Sequence, residues 1–411
     1  MGSLHDISTA TQSADDKVLI NKYRPVFEKI AAGTLQREQQ RILPFEQIQW
    51  LKQVGFTAVR VPVEQGGDGA SLTQLFQLLI ELSKADSNLT QALRGHFAFV
   101  EDRLNAHRDS DQSHWFKRFV AGEIVGNAWT EIGAVKIGEV ITQVTGREGQ
   151  WRVDGKKYYT TGSIFAEWLD LYAQVTKTGE SVIAATRTAQ DGVKIDDDWD
   201  GFGQRMTGSG TTTLVNAEVD ELIPFDSRFK YQTAFYQLFH LAALSGIAYA
   251  AVDEFKQQVR QRTRVFSHGN GERTDQDVQV LQVIGKASAQ AYAAEAITLQ
   301  AARASQQAYQ AHFAQDEERE KQANIVAEIE SAQGQVVISD LVLELTSKLF
   351  DTLGASAASS KKSLDRFWRN ARVISSHNPI IYKEKIIGDW EVNAKEPIFV
   401  WQIGAGVKEK G

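Results

Sequence analysis

In the run "DRFWRNARVISSHNPIIYK", Arg366, Arg369 and Arg372 recur at helical spacing before the pattern breaks at Ser375, Ser376, His377, Asn378 and Pro379. Arg366 and Arg369 share a helix face, as do Arg369 and Arg372. Two guanidinium groups converging on one point suit a phosphate, because each offers several donors in a rigid fork. The same spacing lets Asp365 pair with Arg369 while Phe367, Ala371 and Ile374 face a core, so the cluster reads either as an anion clamp or as an ordinary helix surface. Past the helix end, His377 is either a general base or proton shuttle, or a solvated loop side chain.

Two other stretches carry comparable chemistry. "RQRTRVFSHGNGER" places Arg260, Arg262 and Arg264 at the end of a long helical pattern, where they complement the helix dipole or, with the first cluster, hold a phosphorylated cofactor. "GFGQRMTGSGTTTLV", with Arg205 and Ser209, offers backbone N–H groups to a phosphate but matches neither the P-loop nor the dinucleotide fingerprint. "NAWTEIGAVKIG" contributes Trp129, Thr130 and Glu131. The eight histidines show no zinc-type spacing, so no metal site is expected.

These residues need elements to hold them. From Lys17 to about Val120 the signals are helical: Ser71 and Gln74 have capping-box spacing, and Leu72, Leu75, Phe76, Leu79 and Leu82 form one apolar face. "VPVEQGGDGA" reads as the tight loop feeding that helix. Short alternating runs follow, "QWRVDGKKYYTTG", "LDLYAQVTK", "SVIAATRT" and "TTTLVNAEV", with Asp154-Gly155 expected to turn a hairpin. After Phe229, long Ala-, Gln- and Glu-rich patterns predict helices over 231–264, 275–315, 317–353 and 364–374, an up-down bundle. The expected division is 1–120 helical, 121–229 β and 230–411 helical.

Composition bounds the function. The 411 residues are 42% hydrophobic and 24% charged, as in globular proteins. With 52 acidic against 45 basic residues there is no broad positive field, so neither nucleic acid nor an anionic membrane is expected as a partner. Cysteine is absent, which excludes disulfides, thiolate nucleophiles and Cys-ligated metals and fits a cytoplasmic protein. "MGSLHDISTATQSADD" lacks the apolar stretch of a signal peptide. The uncharged run Tyr231 to Val252 is long enough to span a bilayer, but Gln232, Gln237 and His240 in its first half identify it as a buried helix of a bundle or subunit interface.

The order helical region, "WTEIG", "KKYYTTG", "GFGQRMTGSGTTT", "RTRVF" and "LDRFWRNARV" resembles the acyl-CoA dehydrogenase fold superfamily over nearly the whole chain. Within it, "DDWDGFGQRMTGSG" and the segment Arg366 to Lys383 are most similar to flavin-dependent monooxygenases of the dibenzothiophene monooxygenase type, which include amine N-hydroxylases. The resemblance implies an α+β, mainly α fold: an N-terminal helical domain, a central β-barrel and a C-terminal four-helix bundle. It also implies a homotetramer, often a dimer of dimers, with flavin between barrel and bundle. By position, Trp129, Thr130 and Thr161 would line the isoalloxazine, Arg205 and Ser209 would add contacts from the Gly-rich segment, and Arg262, Arg264 and Arg369 would reach the phosphate, some of them from a neighbouring subunit.

The resemblance also separates two chemistries. Aligned with the family's "R-D-A-(basic)-x-x-x-(Ile)-Tyr-Glu-Gly-Thr" run, Arg369-Asn370-Ala371-Arg372 puts His377 and Asn378 at the Tyr-Glu positions, and Asn cannot take an acyl-CoA α-proton. The expected function is therefore the oxygenase component of a two-component monooxygenase. It would take reduced flavin, FMN in this reading, from a separate flavin reductase and oxidise a small sulfur- or nitrogen-containing substrate. The catalytic expectation rests on His377, with Ser376 beside it and His96 lining the substrate pocket; for His96 the structural explanation is a helix-end residue with a local partner. The alternatives are an acyl-CoA dehydrogenase or oxidase, holding FAD and using a relocated base, and a helical scaffold without flavin. The chain departs from the sulfur-oxidising pattern at Ile374, where those relatives have His, at Ser356, where Arg is typical, and at Thr161, where Ser is common.

Overall fold

The computed structural model describes residues 14–132 and 139–399. Helices come first: α1 Ala14–Ala32, α2 Thr34–Gln40, α3 Phe45–Gln53, α4 Leu72–Ala92, α5 Arg94–Ala106 and α6 Ser113–Val120. The capping box is present as expected, with Ser71 Oγ accepting from the Gln74 amide and Gln74 Oε1 from the Ser71 amide. Leu72, Leu75, Phe76, Leu79 and Leu82 are buried along the predicted face. Within α4, Asp86 adopts an extended conformation, and its Oδ1 accepts from the Asn88 amide at 3.1 Å, an N-cap inside the helix. Its other oxygen pairs with Arg37 at 2.9 Å. This kink re-aims the last turn of α4 toward the loop that follows β6.

The middle section forms one eight-stranded sheet: β1 Val125–Ala128, β2 Gln143–Thr145, β3 Trp151–Lys157, β4 Trp168–Val175, β5 Ser181–Arg187, β6 Val193–Ile195, β7 Thr212–Val219 and β8 Glu221–Pro224. Its order is β6-β7-β3-β2-β4-β5-β8, with β1 added in parallel to β4, so the expected barrel takes the form of a sheet with β6 and β8 at its edges. The hairpin expected at Asp154-Gly155 is not there. β3 runs straight through both residues, pairing with β2 on one side and β7 on the other, and its register with β7 shifts between Val153 and Gly155. This is a β-bulge. A Cβ at Gly155 would lie 2.4 Å from Thr142 Oγ1, so the glycine serves a close approach, not a turn.

Five α-helices follow among the described residues: α7 Gln232–Gln261, α8 Val278–Phe313, α9 Glu317–Lys348, α10 Arg366–Ser375 and α11 Ile380–Asn393. The first half of α7 is almost wholly buried, as Phe235, Leu238, Phe239, Leu241 and Leu244 pack into the main core with α4. Thus the apolar run 231–252 is a core helix of the bundle, as expected. α8 buries a row of alanines, Ala287, Ala291, Ala294, Ala301 and Ala308, small enough to bring helices close. α11 was not expected. Only Lys383 of its residues is buried, paired at 3.0 Å with buried Glu328 of α9, so an ion pair docks it in place of the apolar stripe that announces a helix.

Candidate functional site

The link between α10 and α11 places His377. Hydroxyls of Ser375 and Ser376 donate to the Arg372 carbonyl and close the end of α10, while Pro379 opens α11 and holds Asn378 out of helical conformation. Gln335 of α9 donates to the Asn378 carbonyl at 2.6 Å, and Asn378 Nδ2 donates to Gln237 Oε1 at 2.9 Å. The Asn378 amide is thereby oriented with Oδ1 toward His377 Nδ1, 3.4 Å away. On the other side, Arg94 Nη2 lies 3.4 Å from His377 Nε2. Arginine only donates, so these partners assign the proton to Nδ1 and leave the Nε2 lone pair accepting.

His377 is surrounded by protein yet keeps contact with solvent. Desolvation, then the charge of Arg94, pushes its pKa down to about 3, so the ring is neutral at ordinary pH. The ring packs against His240 of α7, centroids 4.3 Å apart. His240 is 1% exposed, and both of its nitrogens lack a partner. Arg94 lies over the Tyr236 ring at 5.1 Å, and Tyr236 meets Trp129 at 5.8 Å. Trp129 and His377, distant in sequence, thus belong to one cluster.

Thr161 and Ser209 also come together. Their hydroxyls are 2.8 Å apart, Ser209 reaches Thr207 at 2.7 Å, and Thr207 donates to the Gln204 carbonyl. Protons ordered along this chain leave Thr161 Oγ1 with free acceptor capacity. The Thr161 carbonyl accepts from Asn127 of β1, two residues before Trp129. Thr130 accepts from the Tyr158 amide in a lone bridge. Glu131 is taken up by Lys157, the Thr142 hydroxyl and the amides of Ile141 and Thr142. The rest of that motif, residues 133–138, lies outside the described residues. An aromatic wall beside buried hydroxyl acceptors fits a flavin ring with its N–H edge. Arg205, in the Gly-rich loop, is half-buried and has no ion pair or hydrogen bond among the described residues.

Several expectations are corrected. Arg366 and Arg369 do not converge on a free point: Arg366 pairs with Glu254, while Arg369 binds Asp365 at 2.8 Å, the Phe202 carbonyl at 2.8 Å and buried Glu38 at 2.9 Å. The Asp365–Arg369 pairing is the one the helix-surface reading anticipated. The loop is held close to α10 here, since a Cβ on Gly203 would sit 2.3 Å from the Arg369 carbonyl. Arg369→Ala is expected to strand Glu38 and cost roughly 2 kcal/mol in urea unfolding. Full stability together with weakened FMN binding would return Arg369 to a phosphate-binding role.

His96 does not line a pocket. It is fully buried, its Nε2 donates to the Thr57 carbonyl at 2.8 Å, and its Nδ1 accepts from the Val125 amide at 3.3 Å, so both nitrogens serve the core. Ser376 is engaged with the Arg372 carbonyl and Nε at the end of α10. Arg262 and Arg264 lie past the far end of α7, about 33 Å along the helix from His240, with Arg262 donating to the Arg264 carbonyl. Within one chain they are remote from His377. The sequence reading missed Arg94 and Tyr236, whose only signal was a polar residue within an otherwise apolar helical pattern.

A cleft of about 430 Å³ lies elsewhere, between α1, α4, α7 and α10, and is rimmed by Glu28, Glu81, Asp253 and Glu254. Of the arginines read as an anion clamp only Arg366 lines it, and that side chain is paired with Glu254.

Comparison with known proteins adds to this geometry. The family model for the acyl-CoA dehydrogenase N-terminal domain matches residues 16–123, and that for the acyl-CoA dehydrogenase C-terminal domain matches residues 238–380. The chain is similar to dibenzothiophene monooxygenase of Mycolicibacterium goodii, 24% identical over 96% of this chain and 99% of that one. It is likewise similar to the probable FMNH2-dependent monooxygenase SfnC of Pseudomonas putida, 25% identical over 91% and 94%. Among solved structures, FMN-bound TdsC from Paenibacillus sp. A11-2 superposes with a TM-score of 0.81 at 26% identity, covering 92% of this chain and 98% of that one.

Proposed function

From the premise that this chain belongs to the acyl-CoA dehydrogenase fold superfamily, we propose that it is the oxygenase component of a two-component flavin-dependent monooxygenase. Its substrate is a small sulfur- or nitrogen-containing molecule. The observation that carries this reading is the absence of a free carboxylate in the His377 cluster among the described residues. Asp170 and Asp102 beside Tyr236 are locked to buried Arg228, and Glu328 to Lys383. Abstraction of a carbon acid's proton has no carboxylate base there, and the depressed imidazole of His377 is too weak a base for it but can relay a proton at an oxygen. The names of the similar proteins, monooxygenases described as FMNH2-dependent or solved with FMN, support the same choice and favour FMN over FAD.

Bound reduced flavin would supply the electrons that activate molecular oxygen. The chain's own part is positional. Trp129, packed on Phe225 and Tyr236 with Arg228 over its face at 4.9 Å, would form a rigid wall that excludes water. Thr161 and Ser209 would accept hydrogen bonds from the flavin edge. His377 Nε2 would take up and return a proton at the reacting oxygen. Arg262 and Arg264, remote from this cluster in their own chain, would serve the flavin phosphate of a neighbouring copy in a homotetramer. A separate reductase would deliver the reduced flavin.

The test is to mix the protein with anaerobically reduced FMN, then with 18O2 and a panel of sulfides, sulfinates and amines, beside an anaerobic incubation of the oxidised FMN-loaded or FAD-loaded protein with acyl-CoAs. Incorporation of one labelled oxygen into a product, without bleaching by acyl-CoA, is the expected result. Bleaching without incorporation would place the protein among the dehydrogenases.

A further inference from the structure

Six arginines are buried among the described residues, and five of them meet a carboxylate: Arg37 with Asp86, Arg60 with Glu101, Arg103 with Asp102, Arg228 with Asp170 and Arg366 with Glu254. Arg94 is the exception. It is 7% exposed, its Nε has no hydrogen-bond partner, and its contacts are the long one to His377 Nε2 and the face of Tyr236. A desolvated guanidinium without an anion is costly, and such groups persist where a ligand completes them. The neighbours point the same way. The Tyr236 hydroxyl and both nitrogens of His240 also lack partners, and no carboxylate competes for the charge.

We infer that Arg94 receives the charged head of an anionic substrate, a small organic oxyanion such as a sulfinate, sulfonate or carboxylate, and holds it beside His377. One cation flanked by neutral groups matches a monoanion, whereas a phosphate dianion would call for a second cation. A guanidinium fork takes two oxygens of such a head in parallel, and Tyr236 and His240 supply the remaining polar contacts. The anion would also draw Arg94 from His377 Nε2 and free that lone pair for the reaction. This inference rests on the oxygenase reading only in naming the anion a substrate.

The experiment is calorimetric titration of the FMN-loaded full chain with methanesulfonate and acetate, and with their neutral isosteres dimethyl sulfone and acetamide, in wild type and Arg94→Met. The anions are expected to bind wild type in preference to the isosteres and to bind Arg94→Met at least about 10-fold more weakly, with FMN affinity unchanged. The variant should melt no lower than wild type, because a lone buried charge is removed. Equal anion binding by both proteins, or loss of FMN in place of the anion, overturns the inference. Should Arg94→Met not fold, Arg94→Lys decides: retained preference for the anion over its isostere supports the inference, and loss of that preference overturns it. Wild type that binds the anions through Arg94 but transfers no 18O would sink the oxygenase reading alone; 18O transfer without anion preference would sink the anion site alone.

Discussion

His377→Ala is expected to leave FMN affinity unchanged while the ratio of oxygenated product to released hydrogen peroxide falls on the order of 10²-fold. The expectation follows from the ring's state and placement. His377 is neutral, its Nε2 lone pair accepts from Arg94, and Asn378, fixed by Gln237, orients the ring through Nδ1. No nearby group duplicates that lone pair. His240 lies behind the ring and is buried, and Asn378 offers only an amide. His377→Gln, which keeps polarity without basicity, should fall nearly as far. Unchanged product yield in both variants would remove His377 from the chemistry, and a parallel loss of FMN would show a binding role.

Acid should destabilise the protein well before its carboxylates protonate. Burial holds His96 down to about 4 and His240 well below its usual range, the latter also disfavoured by the charges of Arg94 and Lys383. Both folded values lie below the unfolded value near 6.5, so below that pH the unfolded chain binds the extra protons. The stability these neutral rings permit is complete above about pH 6.5 and is lost as pH falls toward their folded values. At pH 5 the His96 ring alone costs about 2 kcal/mol, and His240 and the more exposed His377, both held low, add losses of the same sign. Urea unfolding at pH 7.5 and 5 measures the sum. His240→Phe, which removes two unpartnered nitrogens and one titration, should recover part of the acid loss; an acid loss equal to wild type would show that His240 titrates freely.

Much of this protein was legible before folding. The capping box at Ser71, the apolar faces of α4 and α7, the strands β4, β5 and β7, and the helix break before His377 follow from residues a few positions apart, because periodicity and caps are local interactions. What a charged or polar group does was decided only in three dimensions. Arg369 found Glu38 across 331 positions, Arg366 found Glu254 across 112, and His96 found Thr57 across 39. Asp154-Gly155, a turn by its composition, became a bulge because β7, distant in sequence, pairs there. α11 went unseen because one buried ion pair, not an apolar stripe, docks it. Arg94 shows the contrast most sharply. Its sequence context is an ordinary helix start, and only burial without a carboxylate sets it apart from the five buried arginines that have one. Local sequence sets which backbone hydrogen bonds form; the low dielectric of the assembled interior sets which charges must be answered, and by what.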